Sequence, residues 1–430
     1  MGQSRRVDIA EHRTGGRAVM RFCMVTTFYP PFHTGGDAIY VRALARALRR
    51  EGHAVDVVHC EDAFRVIGGE AGAAPAANED GIVVHRLHHP LGMLSPLITQ
   101  QTGHPGLKKR ALRAVLDQGY DVIHFHNISL VGGPGVLELG RSRVKLLTLH
   151  EHWLLCPTHV FWKNREKACD RPTCVMCSIR SGIPPQLWRL GNLITRELEH
   201  VDLLLAPSEF TAARHKAAGI TRPIEVFPLF SRMEPGPAKP AAPQRPRFLF
   251  AGRVTASKGI RQLVEMFRTL PDYDLWIAGD GDLRHKLQAD CTNVGNIRFL
   301  GLVDASQLST LYGEATATVI PSLAPESMSL VALESFANST PVVARNAGGC
   351  GELVRASNAG FVCEDEGELL AAIHSLAGDP ELARVLGQRG QQVYEQKYTQ
   401  RVHMAAYLQR VSSLLASTKP IAYSPSCVPF

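Results

Sequence analysis

The chain has 430 residues, 45% of them hydrophobic and 20% charged, with Gly 37 and Pro 27; that length suits two domains of roughly 200 residues each, and the composition excludes a disordered or fibrous protein. A formal charge of +7 suits an anionic small molecule or an anionic membrane surface, whereas the basic residues form no stripe interleaved with aromatics, which argues against nucleic acid. Without an apolar run of about 18 residues or a signal-peptide pattern, the expectation is a soluble cytoplasmic protein, with peripheral association at the inner membrane face as an admissible variant.

Short β-branched runs alternate with helical periodicity from Val19 onward: a strand over Met20–Phe28, a helix over Ala38–Arg50 and a strand over Val55–Cys60. Further strands are expected at Val122–His126, Lys145–Leu149, Leu203–Ala206 and Ile224–Pro228, which makes a parallel sheet covered by helices. The stretch Ser231–Arg247 holds five prolines and almost no apolar period, so it reads as a linker. After it the rhythm restarts. Strands are expected at Phe248–Gly252, Leu275–Ala278, Ile297–Leu300, Thr318–Pro321 and Val342–Ala344, with helices from Ile260, Leu283, Ser306 and Met328. Residues 380–413 read as helix and the last 17 as a frayed tail. The fold class is α/β, with two doubly wound, Rossmann-like domains whose ligand belongs in the cleft between the carboxyl ends of their strands.

Gly35 and Gly36 stand between the first strand and its helix, where backbone amides can approach an anion closely. Arg253 and Lys258 follow the first strand of the second domain and can converge on a diphosphate. The stretch Pro321 to Glu334 is the most informative. It places Glu326 and Glu334 eight residues apart, about two helical turns, so both carboxylates can share a side, with the amides of Ser329, Leu330 and Val331 near a helix N-terminus. Two carboxylates and two cations can together hold sugar hydroxyls, ribose hydroxyls and a diphosphate.

In this order, and with Ala278-Gly279-Asp280-Gly281, Pro341-Val342-Val343-Ala344 and Gly348-Gly349-Cys350-Gly351-Glu352-Leu353, the motifs resemble glycosyltransferase family 4 from Val19 to about Leu408. The resemblance implies a GT-B fold: a first, acceptor-side domain over 19–232 with a cysteine-rich insert at 156–190, and a nucleotide-sugar domain over 247–395. A helix at 396–413 would return to the first domain, with tails at 1–18 and 414–430. It implies a retaining enzyme in which Arg253 and Lys258 hold the donor diphosphate, Gly36 approaches it, Glu326 holds the transferred sugar and Glu334 the ribose. His150, at the end of its strand, matches a histidine beside the reacting carbon, and His126 is a candidate acceptor contact. Ser327-Met328-Ser329 and Ser335 depart from the glycine, aromatic and alanine usual there, which bears on the identity of the donor sugar.

The expected partners are thus a nucleotide diphosphate sugar and an acceptor hydroxyl of a glycan, a lipid-linked sugar or a metabolite. No cofactor is expected for the reaction itself, since two cations and helix amides can stabilise the leaving diphosphate. The triplets Asp272-Tyr273-Asp274 and Asp280-Gly281-Asp282 sit poorly for a catalytic metal. The alternatives are a nucleotide-sugar epimerase of the same fold and a non-catalytic, metal-bearing sugar-nucleotide binder. Cys156, Cys169, Cys174 and Cys177 lie within 22 residues and include a C-x-x-C. That spacing suits a structural zinc ion, with an iron–sulfur cluster as second choice.

Overall fold

A computed structural model describes residues 18–33, 35–69, 78–234 and 245–418, and the fold is built on two sheets. The first runs β10-β9-β6-β5-β1-β2-β4-β3, from β1 (Arg21–Val25), β2 (Ala54–Cys60), β3 (Asn78–Glu79), β4 (Ile82–Leu87), β5 (Tyr120–Phe125), β6 (Ser142–Thr148), β9 (Leu203–Ala206) and β10 (Ile224–Val226). All its pairings are parallel except the edge pair β3–β4. A separate hairpin, β7 (Trp162–Lys163) with β8 (Lys167–Ala168), lies between β6 and β9 in the chain. The second sheet is wholly parallel, in the order β13-β12-β11-β14-β15-β16, from β11 (Arg247–Ala251), β12 (Asp274–Ala278), β13 (Ile297–Gly301), β14 (Ala317–Ile320), β15 (Val342–Arg345) and β16 (Gly360–Cys363).

Side chains of β1 alternate between two cores, as the period of a strand demands. Cys23 and Val25 face one with Ile123, Phe125 and Leu147; Phe22 and Met24 face the other with Val122, Val144 and Leu146. In the second sheet Phe248, Phe250 and Ile277 face one core while Leu249, Trp276 and Ala278 face another. Parallel strands covered on both faces read as continuous apolar runs, which is why these were legible in sequence.

Three expectations change. Residues 380–413 form two helices, Pro380–Lys397 and Gln400–Ala416. The chain turns at Thr399, whose hydroxyl caps the second helix and whose backbone bridges Ser231. That second helix presents Met404, Tyr407, Leu408, Val411 and Leu415 to the core of the first sheet, spacings of one helical face. Its last turn reaches Ala416, so the expected tail starts later than position 414; the other tail and the centre of the linker, at 1–17, 235–244 and 419–430, lie outside the described residues. Finally, the helix expected from Met328 begins at Leu330, because Ser329 caps it through a hydroxyl bond to the Ala332 amide.

Tyr407 is 1% exposed and its hydroxyl is bonded to His124 Nδ1 at 2.9 Å. Tyr407→Phe should cost about 1 kcal/mol and Tyr407→Ala about 3–5 kcal/mol in urea unfolding monitored by far-UV circular dichroism. Equal costs would mean that the ring does not anchor the last helix to the first sheet.

Candidate functional site

The loops beyond the strands of both sheets meet in one cleft. Gly35 takes φ +83 and Gly36 opens the helix Gly36–Arg50. The first needs a left-handed backbone; the second needs space, since a Cβ there would stand 3.2 Å from Leu330 Cδ1 of the other half. Across the cleft, the glycine turn after β12 lies against the loop after β11. Gly252 and Val254 donate amide bonds of 2.9 Å to Ala278 and Asp280, and a Cβ on Gly279 would collide with the Gly252 carbonyl. Arg253 follows, exposed and outside any ion pair among the described residues. The Asp-x-Asp triplets are used structurally: Asp274 opens β12 and pairs with Arg245 at 2.8 Å, while Asp280 pairs with Arg284 at 3.2 Å.

Lys258 has a partner within the protein. Its ammonium is ion-paired to Glu326 Oε1 at 2.8 Å, and Ser322 donates its hydroxyl to the same oxygen. Glu326 and Glu334 do not share two turns of helix. Glu326 lies in extended chain that bridges Gly348, and only Glu334 is on the helix Leu330–Ala337. The Ser329 hydroxyl takes the Ala332 amide, and the amides of Leu330 and Val331, like the first amides of any helix, have no partner within it. Glu334 accepts a 3.0 Å bond from the Tyr312 hydroxyl and faces Arg232. Burial pushes its carboxyl up to about 7, against the lowering effect of Tyr312 and Arg232. A cavity of about 400 Å³ opens over it, lined by Tyr40, Phe230 and Arg232 on one side and by Ser306, Ser309 and Leu330 on the other.

His150 and His126 are bonded ring to ring, Nε2 to Nδ1, at 2.9 Å. His126 is 3% exposed, so it supports His150 and does not reach an acceptor, contrary to the sequence expectation. Behind it His124 is held by Tyr407 and by Thr148 at 2.8 Å. Burial lowers all three imidazoles, His150 to about 4; they are neutral at pH 7 and act as hydrogen-bonding groups.

Sequence reasoning passed over a second cluster beside them. Asn127 Nδ2 donates to Asp37 at 3.1 Å and to Glu151 at 3.2 Å, and Glu151 is also bonded to His159 Nδ1 at 2.6 Å. Burial, then the nearby Glu151, pushes Asp37 up to about 6. The available signal was adjacency: Asp37, Asn127 and Glu151 directly follow Gly36, His126 and His150. Tyr312 and Arg232 gave none, since each comes from an element remote in sequence. Cys156 and Cys177 are buried and Cys169 and Cys174 half-buried, all within the segment that follows His150. Among the described residues no group of three or more His, Cys, Asp or Glu side chains is already disposed to hold a metal ion, and no helix is long and apolar enough to cross a membrane.

Two family models match consecutive parts of the chain, Glycosyltransferase Family 4 over residues 34–230 and glycosyl transferases group 1 over residues 236–393. An uncharacterized glycosyltransferase of Methanocaldococcus jannaschii is 27% identical over 371 residues, 78% of this chain and 83% of that protein. Sucrose-phosphate synthase from Thermosynechococcus elongatus superposes with a TM-score of 0.72 at 21% identity, over 93% of this chain and 100% of the other. The HepE protein of Anabaena, solved in complex with UDP-glucose, does so with a TM-score of 0.64 at 18% identity, over 93% and 100%. These likenesses establish the two-domain GT-B fold.

Glu334 supplies a pH test. Its folded value near 7 exceeds the ordinary 4.5, so the folded protein binds that proton more tightly than the unfolded chain. The burial cost is therefore absent below the unfolded value and full above the folded one. Glu334→Gln should stabilise the protein by about 1–3 kcal/mol at pH 8 and by almost nothing at pH 4.5, read from urea midpoints. The same gain at both pH values would exclude a protonation origin.

Proposed function

This chain belongs to glycosyltransferase family 4, and on that premise we propose that it transfers a hexose from a uridine diphosphate sugar to an acceptor hydroxyl with retention at the anomeric carbon. The observation that carries the reading is the Lys258–Glu326 ion pair at the cleft, next to the amides that open the helix Leu330–Ala337. A diphosphate arriving there competes with Glu326 for the ammonium. Once Lys258 turns to phosphate, the Glu326 carboxylate is released to accept hydrogen bonds from sugar hydroxyls. Arg253 adds a second, permanently charged contact, and Glu334 takes the ribose hydroxyls from the floor of the cavity. The uridine assignment draws on the HepE complex with UDP-glucose.

Breaking the bond from sugar to diphosphate builds positive charge on the anomeric carbon and negative charge on the leaving oxygens. Once the donor is bound, Lys258, Arg253 and the helix amides stabilise the second from positions taken up before the bond breaks. Neutral His150 offers a hydrogen bond beside the reacting carbon. We assign no carboxylate among the described residues as nucleophile; the acceptor hydroxyl attacks from the leaving-group face and its proton passes to the departing phosphate oxygen. Asp37, Asn127 and Glu151 form the wall that the acceptor hydroxyls meet.

Two variants and one panel test this. Glu326→Gln should lower turnover about 10- to 150-fold while leaving uridine diphosphate bound as tightly as before or more so, since its competitor for Lys258 is weakened. Arg253→Ala should weaken uridine diphosphate about 10- to 150-fold in calorimetric titration. In a thermal-shift panel of nucleotide sugars, uridine donors should give the largest rise; preference for another base overturns the uridine assignment, and no response to any nucleotide sugar overturns the donor site.

A further inference from the structure

The segment from Cys156 to Arg189 buries Phe161 and Trp162 and packs Trp188 against the first core. Beyond those rings its regular structure is slight: the hairpin β7–β8 has two residues per strand, and the seven-residue helix Cys174–Arg180 turns Val175, Met176 and Ile179 to solvent at 42%, 51% and 56% exposure. Small elements of this kind need a further constraint to hold one shape. What the segment brings together is sulfur. Cys169 directly follows β8 and is anchored by its amide bond of 2.7 Å to the Phe161 carbonyl. Cys174 and Cys177 stand one turn apart on the helix, and Cys177 Sγ accepts the Asn164 amide from the hairpin turn at 3.3 Å. Cys156 lies close by: its thiol raises Cys169 and Cys174 alike, after the larger effect of burial.

A second observation concerns charge. Arg189 lies over both Trp153 and Trp188, whose rings are themselves in contact, its guanidinium carbon 4.8 and 4.6 Å from their ring centres. It donates to the Leu154 carbonyl at 3.1 Å and to Gln186, but its Nη2 is buried without a partner. The groups that favour its charge are Cys156 and Cys174. Two of the four sulfurs therefore lie close enough to act on a buried guanidinium.

We propose that Cys156, Cys169, Cys174 and Cys177 bind one zinc ion as four thiolates, forming a structural site whose net negative charge is balanced by Arg189. Each thiol loses its proton to solvent as it binds, and zinc undergoes no redox change. Four sulfurs complete the tetrahedral shell, so the ion holds the fold and takes no part in sugar transfer. Among the described residues the four thiols do not already form a metal-holding group, and binding draws them in.

The proposal is independent of the sugar-transfer reading. The full chain, purified without a histidine tag in aerobic and anaerobic preparations, should contain about one zinc per chain by elemental analysis. Cys169→Ser and Cys174→Ser, at half-buried positions, should lose most of it, and Cys291→Ser, outside the segment, should keep it. Should the variants fail to fold, the wild type decides: Cys169 and Cys174 should resist alkylation until a strong chelator is added. Below about 0.2 zinc per chain in both preparations, iron with acid-labile sulfide in the anaerobic one, or alkylation rates unaffected by chelator would overturn it.

Discussion

The segment Glu326–Ser329 is part of the second half by sequence and of both halves by bonding. Its backbone pairs with the β15 loop, Glu326 donating to the Ala347 carbonyl at 3.1 Å and accepting from the Gly349 amide at 2.8 Å. Its side chains and remaining carbonyl reach across the cleft: the Ser327 hydroxyl bonds the His150 carbonyl, the Ser208 hydroxyl bonds the Ser327 carbonyl at 2.7 Å, and the Leu229 amide meets Met328 Sδ at 3.3 Å. His150, Glu326 and the amides of the following helix are therefore tied into one bonded unit. The glycines of the β15 loop follow from the same constraint, because a Cβ at Gly348 or Gly349 would strike the carbonyl of Glu326 or Ser327. Glu352, further along, fixes the contact from the other side by accepting the amides of Glu209 and Phe210 at 2.9 and 2.8 Å.

Desolvation sets the protonation pattern of this cleft more than any single charge pair does. It drives the three histidines to the neutral form and raises the carboxyls of Asp37 and Glu334. The cations stay nearer to solvent: Lys258 is 28% exposed and Arg253 more so. An anionic ligand entering from outside thus meets fixed positive charge first and neutral hydrogen-bonding groups deeper in. That order suits a molecule with a charged diphosphate and an uncharged sugar, and it lets the carboxylates be used for hydroxyls without repelling the phosphates.

Much of this was legible in the sequence because it is local. Leu203–Ala206 was read to the residue, and β11, β12, β14 and β15 to within a residue or so, since buried parallel strands carry unbroken apolar runs. The strand β4, with exposed Val83, and β16, which opens on glycine at φ +158, carry no such run and were missed. Arg253, Lys258, Glu326 and Glu334 were found as motif members, yet their pairings were not, because Lys258–Glu326 and Tyr312–Glu334 join residues 68 and 22 positions apart. The start of the helix between the two glutamates moved from Met328 to Leu330 for a local reason: Ser329 caps it, and that choice is made by a hydroxyl bond rather than by apolar spacing. His126 was misread because periodicity places a side chain on a sheet face without saying that a neighbouring ring has already taken its nitrogen.

The Asp37, Asn127 and Glu151 cluster is bonded directly into the segment that carries the cysteines. Glu151 is held by His159, and the turn between them is closed by the His152 amide on the His159 carbonyl at 3.0 Å and by the Cys156 amide on the His152 carbonyl at 2.8 Å. Phe161, with φ +50, and His159, with φ +72, adopt backbone that side-chain-bearing residues rarely take. A strained turn keeps its shape only where its surroundings over-determine it. On one side those surroundings are the core around Trp153; on the other they are Cys156 and the hairpin it faces. Whatever fixes Cys156 therefore fixes Glu151, and through Asn127 also Asp37. The residues of the second half, Lys258, Glu326 and Glu334, need no such support, because they stand on loops and a helix at the ends of a buried parallel sheet. In the first half the same task falls to a hairpin and a seven-residue helix, which is where an added crosslink has the most to hold.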